Sequence, residues 1–200
     1  MNNYLLVEGP DDMHTITALC KHYNLPETFE IKTCEGIDHL IENFRLRLKT
    51  AKNNKVLGVV IDADDKVESR WISIQNILRE AGYYDCSQLT LPLEGLILTP
   101  LKPEYSKVGL WIMPNNSSTG MLEDFVMSLV RPEDPLLQEA EEELVRIEKL
   151  GIQGYKPLQR SKAKVHTYIS WQDHPGLPLG AAITAKILNP EAPSAKVFTQ

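Results

Sequence analysis

The sequence has no apolar run long enough for a membrane: a span needs roughly 20 such residues, and stretches such as Val56 to Ile61 stop far short. The N-terminus, Met1-Asn2-Asn3-Tyr4, has neither a basic region leading into a long apolar stretch nor a small-residue cleavage site, so no secretory signal is visible and a cytoplasmic protein is expected. Cysteine is scarce. Cys20, Cys34 and Cys86 are odd in number and lack a C-x-x-C spacing, which argues against a disulfide framework and a zinc knuckle and predicts reduced core thiols. No G-x-G-x-x-G follows the first strand, where Gly9 stands alone, and no G-x-x-x-x-G-K-[ST] occurs, so a nucleotide cradled by backbone amides is not expected. The five histidines form no H-E-x-x-H, and no G-x-S-x-G is present; zinc-protease and serine-hydrolase chemistry are set aside.

What is present is a soluble globular composition. The 200 residues carry 21 Lys+Arg against 27 Asp+Glu, a net charge of −6, and 42% are apolar. That length buries a proper core in one domain with an appendage, or in two small domains.

The first third alternates strand-like and helical patterns. Tyr4 to Val7 reads as a strand, and Met13, Ile16, Leu19, Cys20 and Tyr23 then recur at helical spacing. Phe29 to Cys34 reads as a second strand, and Ile37, Leu40, Ile41, Phe44 and Leu48 form an amphipathic stripe after it. Val56 to Ile61 is a continuous apolar run, the pattern of a strand covered on both faces. Val67, Trp71, Ile74, Ile77 and Leu78 make a third helix closed by Ala81-Gly82. The order βαβαβα predicts an α/β fold with a mainly parallel sheet flanked by helices. Beyond it, Leu96 to Leu101 and Val108 to Met113 suggest an antiparallel hairpin, and the turn 115–120 introduces a helix through Leu122, Phe125 and Leu129.

Charge is unevenly spread over the remainder. Seven acids between Glu133 and Glu148 meet a single Arg146 on a helical pattern with Leu136, Leu137, Ala140, Leu144 and Ile147 as its stripe, read as a solvated helix face. From Lys149 to Gln172 five bases stand without an acid, and a helix there is expected to bury Val165, Ile169 and Trp171.

Functional groups of a parallel α/β sheet gather at the carboxyl ends of its strands. The first strand delivers Glu8-Gly9-Pro10-Asp11-Asp12 and the third delivers Asp62-Ala63-Asp64-Asp65. If these strands are neighbours, Glu8, Asp62 and Asp64 converge, and Asp11 or Asp12 can join them. Such carboxylates repel, so the cluster raises its pKa values or binds a cation, and hard oxygen ligands suit Mg²⁺ or Mn²⁺. For Asp11, Asp12 and Asp65, capping a helix N-terminus is an equal account.

Leu6-Val7-Glu8-Gly9-Pro10-Asp11-Asp12 and Val60-Ile61-Asp62-Ala63-Asp64-Asp65 lie 54 residues apart, each behind a short strand. In these motifs the chain resembles the Toprim superfamily, most nearly the small stand-alone Toprim-related bacterial proteins of the overcoming-lysogenization-defect nuclease type. That superfamily places a glutamate after its first strand and a D-x-D after its third. The likeness covers about residues 4 to 130, so it implies a Toprim-like catalytic domain over 1–130 and a mainly helical extension packed on it over 131–200. It further implies a Mg²⁺- or Mn²⁺-dependent nuclease or related phosphoryl-transfer enzyme acting on DNA or RNA. Glu8 would be general acid/base or metal ligand, and Asp62 and Asp64 metal ligands. The nuclease branch extends the first motif to E-x-x-x-D, met by Glu8 and Asp12, and adds a later helical acid, for which Glu123 or Asp124 stands; the resemblance makes Asp12, Glu123 and Asp124 candidate ligands of a second metal ion. Its lysine near the scissile phosphate would be Lys162 or Lys164. No ATPase domain is fused, so an ATPase, if used, would be a separate partner. The other reading is a non-catalytic binding or regulatory module on the same scaffold.

Overall fold

The computed structural model describes residues 3–50, 55–83, 90–100 and 105–200. Cys86 and Leu101 lie outside them. The chain divides into two compact units, Met1–Met13 with Leu25–Met121, and His14–Asn24 with Leu122–Gln200.

The first unit holds the sheet. Its strands are β1 (Tyr4–Val7), β2 (Glu30–Thr33), β3 (Val56–Asp62), β4 (Leu96–Leu98) and β5 (Lys107–Met113). They lie in the order β2-β1-β3-β5-β4. β1 pairs in parallel with β2 and β3, β3 pairs in parallel with β5, and β4 closes one edge antiparallel to β5. The fold is therefore α/β with a mostly parallel sheet, and the expected hairpin is present. β1 and β3 are adjacent because the chain goes outward to β2 and returns past β1. Their carboxyl ends thus flank the place where strand order reverses, the usual ligand position of an open α/β sheet.

Apolar periodicity explains the packing. The α2 helix (Ile37–Thr50) buries Leu40, Phe44 and Leu48, one turn apart, and α3 (Val67–Glu80) buries Val67, Trp71, Ile74, Ile77 and Leu78. These meet Leu6, Leu57, Val59, Ile61, Val108, Leu110 and Ile112 from the sheet in one core. Val60 is also buried, so the central strand carries apolar residues at successive positions, as a strand covered on both faces requires. Gly58 lies opposite Leu5 in the register, and a Cβ there would stand 2.6 Å from Leu5 Cδ1.

The α1 helix (Pro10–His22) begins in the first unit and ends in the second. The second unit adds α4 (Leu122–Met127), α5 (Pro135–Leu150), a single 3-10 turn (Pro157–Gln159), α6 (Arg160–Ser170), α7 (Leu179–Thr184) and α8 (Pro193–Phe198). The ends of α5 are encoded locally. Asp134 accepts the Leu136 N–H at its start, Pro135 fills the first helical position, and Gly151 ends it in a left-handed conformation at φ 66°. Only part of the α5 stripe is deeply buried: Ala140 and Leu144 are, while Leu136, Leu137 and Ile147 are half-buried. α6 buries Val165, Tyr168 and Ile169. Trp171 is 42% exposed, contrary to expectation. The helix stops at Ser170 and Trp171 is its C-cap residue, two positions after the buried Ile169; two residues turn a helix by about 200°, so the indole is off the stripe that Val165, Tyr168 and Ile169 form. Among the described residues no helix is long and apolar enough to cross a membrane.

Candidate functional site

β1 ends at Val7, whose carbonyl accepts the Cys34 N–H at 3.0 Å, and the next carbonyl, of Glu8, accepts the Gly36 N–H at 2.9 Å. The backbone carrying Glu8 is therefore held by the segment after β2. Glu8 Oε1 accepts the Asp62 N–H at 2.9 Å, which joins the outlets of β1 and β3 directly. Burial raises the Glu8 pKa above its ordinary value, and the negative charge of Asp64 adds to this; the Asp62 N–H and the Arg70 guanidinium oppose it without cancelling it.

Asp64 sits in a left-handed conformation at φ 51°. It exchanges two backbone hydrogen bonds with Gly120, each 2.9 Å, so the loop after β3 is tied to the turn after β5. Its carboxylate pairs with Arg70 of α3. Gly120, at φ 131°, suits this bridge because L side chains rarely adopt that conformation.

Asp12 has a local task. Its carboxylate accepts the Gly9 N–H at 2.9 Å, while Gly9 O accepts the Met13 N–H at 3.3 Å. An acid at the third helical position reaching back to the first free amide is half of a capping box. Asp12 is only 7% exposed, and this bond offsets part of its desolvation. Pro10 begins the helix, where its missing N–H costs nothing. The capping account of Asp12 is thus realised. Among the described residues no group of three or more His, Cys, Asp or Glu side chains is placed to hold a metal ion.

The remaining candidates belong to the second unit. Glu123, buried on α4, lies 3.5 Å from Lys162 Nζ, and Asp124 accepts the Ser161 hydroxyl at 2.6 Å. Lys164 pairs with Glu141 at 2.8 Å. Arg160 bonds both Glu141, at 2.6 Å, and Glu148, at 2.8 Å. The Arg160 guanidinium above all, with Lys164, pulls the Glu141 carboxyl down to about 2. The acid-rich α5 and the base-rich α6 are therefore coupled by ion pairs, which corrects the picture of a purely solvated acidic face.

Two polar residues beyond the candidate list shape the first unit. Arg70 supplies the cation beside the acids; its signal is an arginine six residues after the second acid of D-x-D. Asn116, only 3% exposed, accepts the Ile112 N–H at 2.7 Å and donates to Leu93 O at 3.0 Å. It also adopts a left-handed φ of 62°, tolerable for asparagine. The Asn115-Asn116 turn signal locates this residue but not its bonds.

A family model described as "Protein of unknown function (DUF3226)" matches residues 2–200. The chain belongs to the DUF3226 family. No curated protein matches this DUF3226 chain, and no solved structure matches it.

Proposed function

We propose that this DUF3226 protein is a Toprim-like, divalent-cation-dependent phosphoryl-transfer enzyme, a nuclease acting on DNA or RNA, with Glu8, Asp62 and Asp64 as the core of its site. The observation that carries the reading is the Glu8 to Asp62 hydrogen bond. It sets a desolvated carboxylate beside the D-x-D motif, at the strand ends where this architecture binds ligands.

The donor chemistry fits Mg²⁺ or Mn²⁺. Glu8, Asp62 and Asp64 offer hard oxygen atoms, and burial disfavours the charged form of Glu8, so a nearby cation would be stabilising. Arg70 already supplies one positive charge to Asp64. A bound divalent ion would polarise a phosphoryl oxygen and lower the pKa of coordinated water. Asp62 and Asp64 would hold it. Glu8, with its raised pKa, is suited to exchange a proton with the attacking water or the leaving oxygen. Arg70 would offer positive charge to a phosphate. Asp12 serves the helix cap, and Lys162 and Lys164 are engaged with Glu123 and Glu141; none of these is needed for the core of the proposal.

The test is cleavage of end-labelled single- and double-stranded DNA and RNA with Mg²⁺ or Mn²⁺. Wild type is expected to cleave at least one substrate, and Glu8→Gln and Asp62→Asn to lose at least roughly a hundredfold while retaining the wild-type circular dichroism. A wild type inert on all four would sink the reading.

One observation favours a second reading, a non-catalytic binding module. The Arg70–Asp64 pair and the Asp12 cap satisfy two of the acids internally. On that reading Asp62→Asn retains full function in a complementation assay.

A further inference from the structure

At the opposite end of the sheet from Glu8, where β1 and β3 begin, the first unit contains a cavity of about 70 Å³. Tyr4, Arg47, Lys55 and Ser106 are among its lining residues. Along β1 it is about 13 Å from Glu8, the rise of four strand residues. Its chemistry is the reverse of that at the acidic outlets: among the described residues two cationic side chains line it and no carboxylate does.

Two of the cavity's lining residues each carry a buried, unsatisfied donor. Ser106 is 1% exposed, and its hydroxyl oxygen has no hydrogen-bond partner among the described residues; the same holds for the buried Nε of Arg47. An unmade buried hydrogen bond costs about 1–3 kcal/mol, more for a charged group, so two such atoms on residues that line one cavity require an explanation. The guanidinium is held in place, with its Cζ 4.0 Å from the centroid of the Tyr4 ring. Ser106 is fixed through its carbonyl, which accepts the Tyr83 hydroxyl at 2.8 Å. Lys55 makes no ion pair among the described residues.

A helix-dipole role explains only part of this. Arg47 is in the last turn of α2, where a cation complements the carbonyl end. That accounts for the charge but not for the buried Nε, the Ser106 hydroxyl, or a second cation at Lys55. Apolar packing fails too, since it gives the two desolvated donors no partner.

We propose that this pocket binds one phosphate group, inorganic or the terminal monoester of a nucleotide chain. A tetrahedral oxyanion is acceptor-only, matches the planar donor fork of arginine, and takes the serine hydroxyl as a further donor. The cavity has room for a few waters or one such group, but not for a nucleoside, so the rest of a larger ligand lies outside. The site is separate from the acidic outlets and stands whether or not those bind a metal.

The test is calorimetric titration of the protein with inorganic phosphate, without divalent cations. Wild type and Glu8→Gln are expected to bind with equal affinity, in the millimolar range or tighter. Arg47→Gln and Lys55→Gln should each lose roughly tenfold, equivalent to one charge-assisted hydrogen bond, and Ser106→Ala severalfold. The Lys55 substitution leaves the Arg47–Tyr4 stack intact, so it reads binding rather than folding. Without phosphate, Ser106→Ala should be as stable as wild type or more so, because it removes an unsatisfied donor. Competition by a 5′-phosphorylated oligonucleotide but not its 5′-hydroxyl form identifies the monoester; competition by neither identifies free phosphate. No binding at about 10 mM phosphate, equal affinity in Lys55→Gln and Arg47→Gln, or loss of binding in Glu8→Gln would each overturn the site.

Discussion

The Glu8 carboxylate accepts the backbone N–H of Asp62 at 2.9 Å, across 54 residues of sequence. A side chain at the end of β1 thereby satisfies a backbone donor at the end of β3. The bond needs an acceptor and not a charge. Glu8→Gln retains an amide oxygen at the same reach and should unfold within about 0.5 kcal/mol of wild type, whereas Glu8→Ala strands the Asp62 N–H and should lose about 1–2 kcal/mol. Urea unfolding of the two variants distinguishes them, and equal losses would show that the bond contributes nothing.

Arg70 is the local counter-charge of the acidic outlets. It bonds Asp64 and lowers the Glu8 pKa, while Asp64 raises it. Removing the guanidinium leaves the carboxylates to repel. Arg70→Gln should raise the Glu8 pKa further, measured by carboxyl chemical shift against pH. If the outlets hold a divalent ion, the same variant should bind Mn²⁺ roughly fivefold more tightly, about 1 kcal/mol of relieved competition. Weaker Mn²⁺ binding would assign Arg70 a supporting role instead.

How far the sequence discloses this arrangement depends on the range of each interaction. Periodicity is local, so the α2 stripe from Ile37 to Leu48 and the five buried residues of α3 follow from spacing alone. The parallel sheet follows from alternation, whereas the adjacency of β1 and β3, which brings Glu8 to Asp62, does not, because alternation leaves the strand order open. Asp12 looked alike as cap and as ligand, because an acid in a first turn serves either; only the Gly9 bond distinguishes them. The coupling of Glu141 and Glu148 to Arg160 lay beyond sequence reading, since acids and bases in separate segments do not reveal that their helices pack. Trp171 is exposed because it stands two residues after Ile169, a spacing that no helical stripe contains.

Asn116 braces the turn after β5. It combines two buried hydrogen bonds with a left-handed backbone. Asn116→Ala loses both bonds and strains φ, and should cost about 3 kcal/mol. Asn116→Gly loses the same bonds without the strain and should cost about 1 kcal/mol less. Asn116→Asp retains the acceptor for Ile112 but sets a carboxylate against the Leu93 carbonyl. The order Gly above Ala in thermal midpoint is the diagnostic result; the reverse order would deny the backbone contribution.

The α5–α6 ion pairs should appear in the acid limb of stability. Glu141 has its carboxyl lowered from 4.5 to about 2, chiefly by Arg160. A carboxyl depressed in the folded state stabilises fully above its unfolded value and loses that contribution as pH falls through the folded value. The affected window is therefore about pH 4.5 down to 2. Since the Glu141 side chain is 38% exposed, solvent screening limits the effect to about 1 kcal/mol or less. Urea unfolding across that window should be flatter with pH in Glu141→Gln than in wild type. Parallel curves would mean that the pair contributes no net stability.

Three glycines separate close packing from backbone strain in the second unit. A Cβ on Gly180 of α7 would stand 2.5 Å from the His14 carbonyl oxygen of α1. That neighbour is helix backbone and cannot rotate away, so Gly180→Ala must push α7 from the C-terminal part of α1, at about 2–3 kcal/mol. Gly176 has nothing within 4 Å of its added Cβ but adopts φ 77°; Gly176→Ala should cost about 1 kcal/mol from conformation alone. Gly154 has neither a near neighbour nor a positive φ, and Gly154→Ala should be within about 0.5 kcal/mol of wild type. Chemical denaturation of the three variants should therefore rank them 154, 176, 180 in increasing loss. A mild Gly180→Ala would show that α7 can move off α1 at little cost, and the approach of these two helices would then contribute little to the stability of the unit.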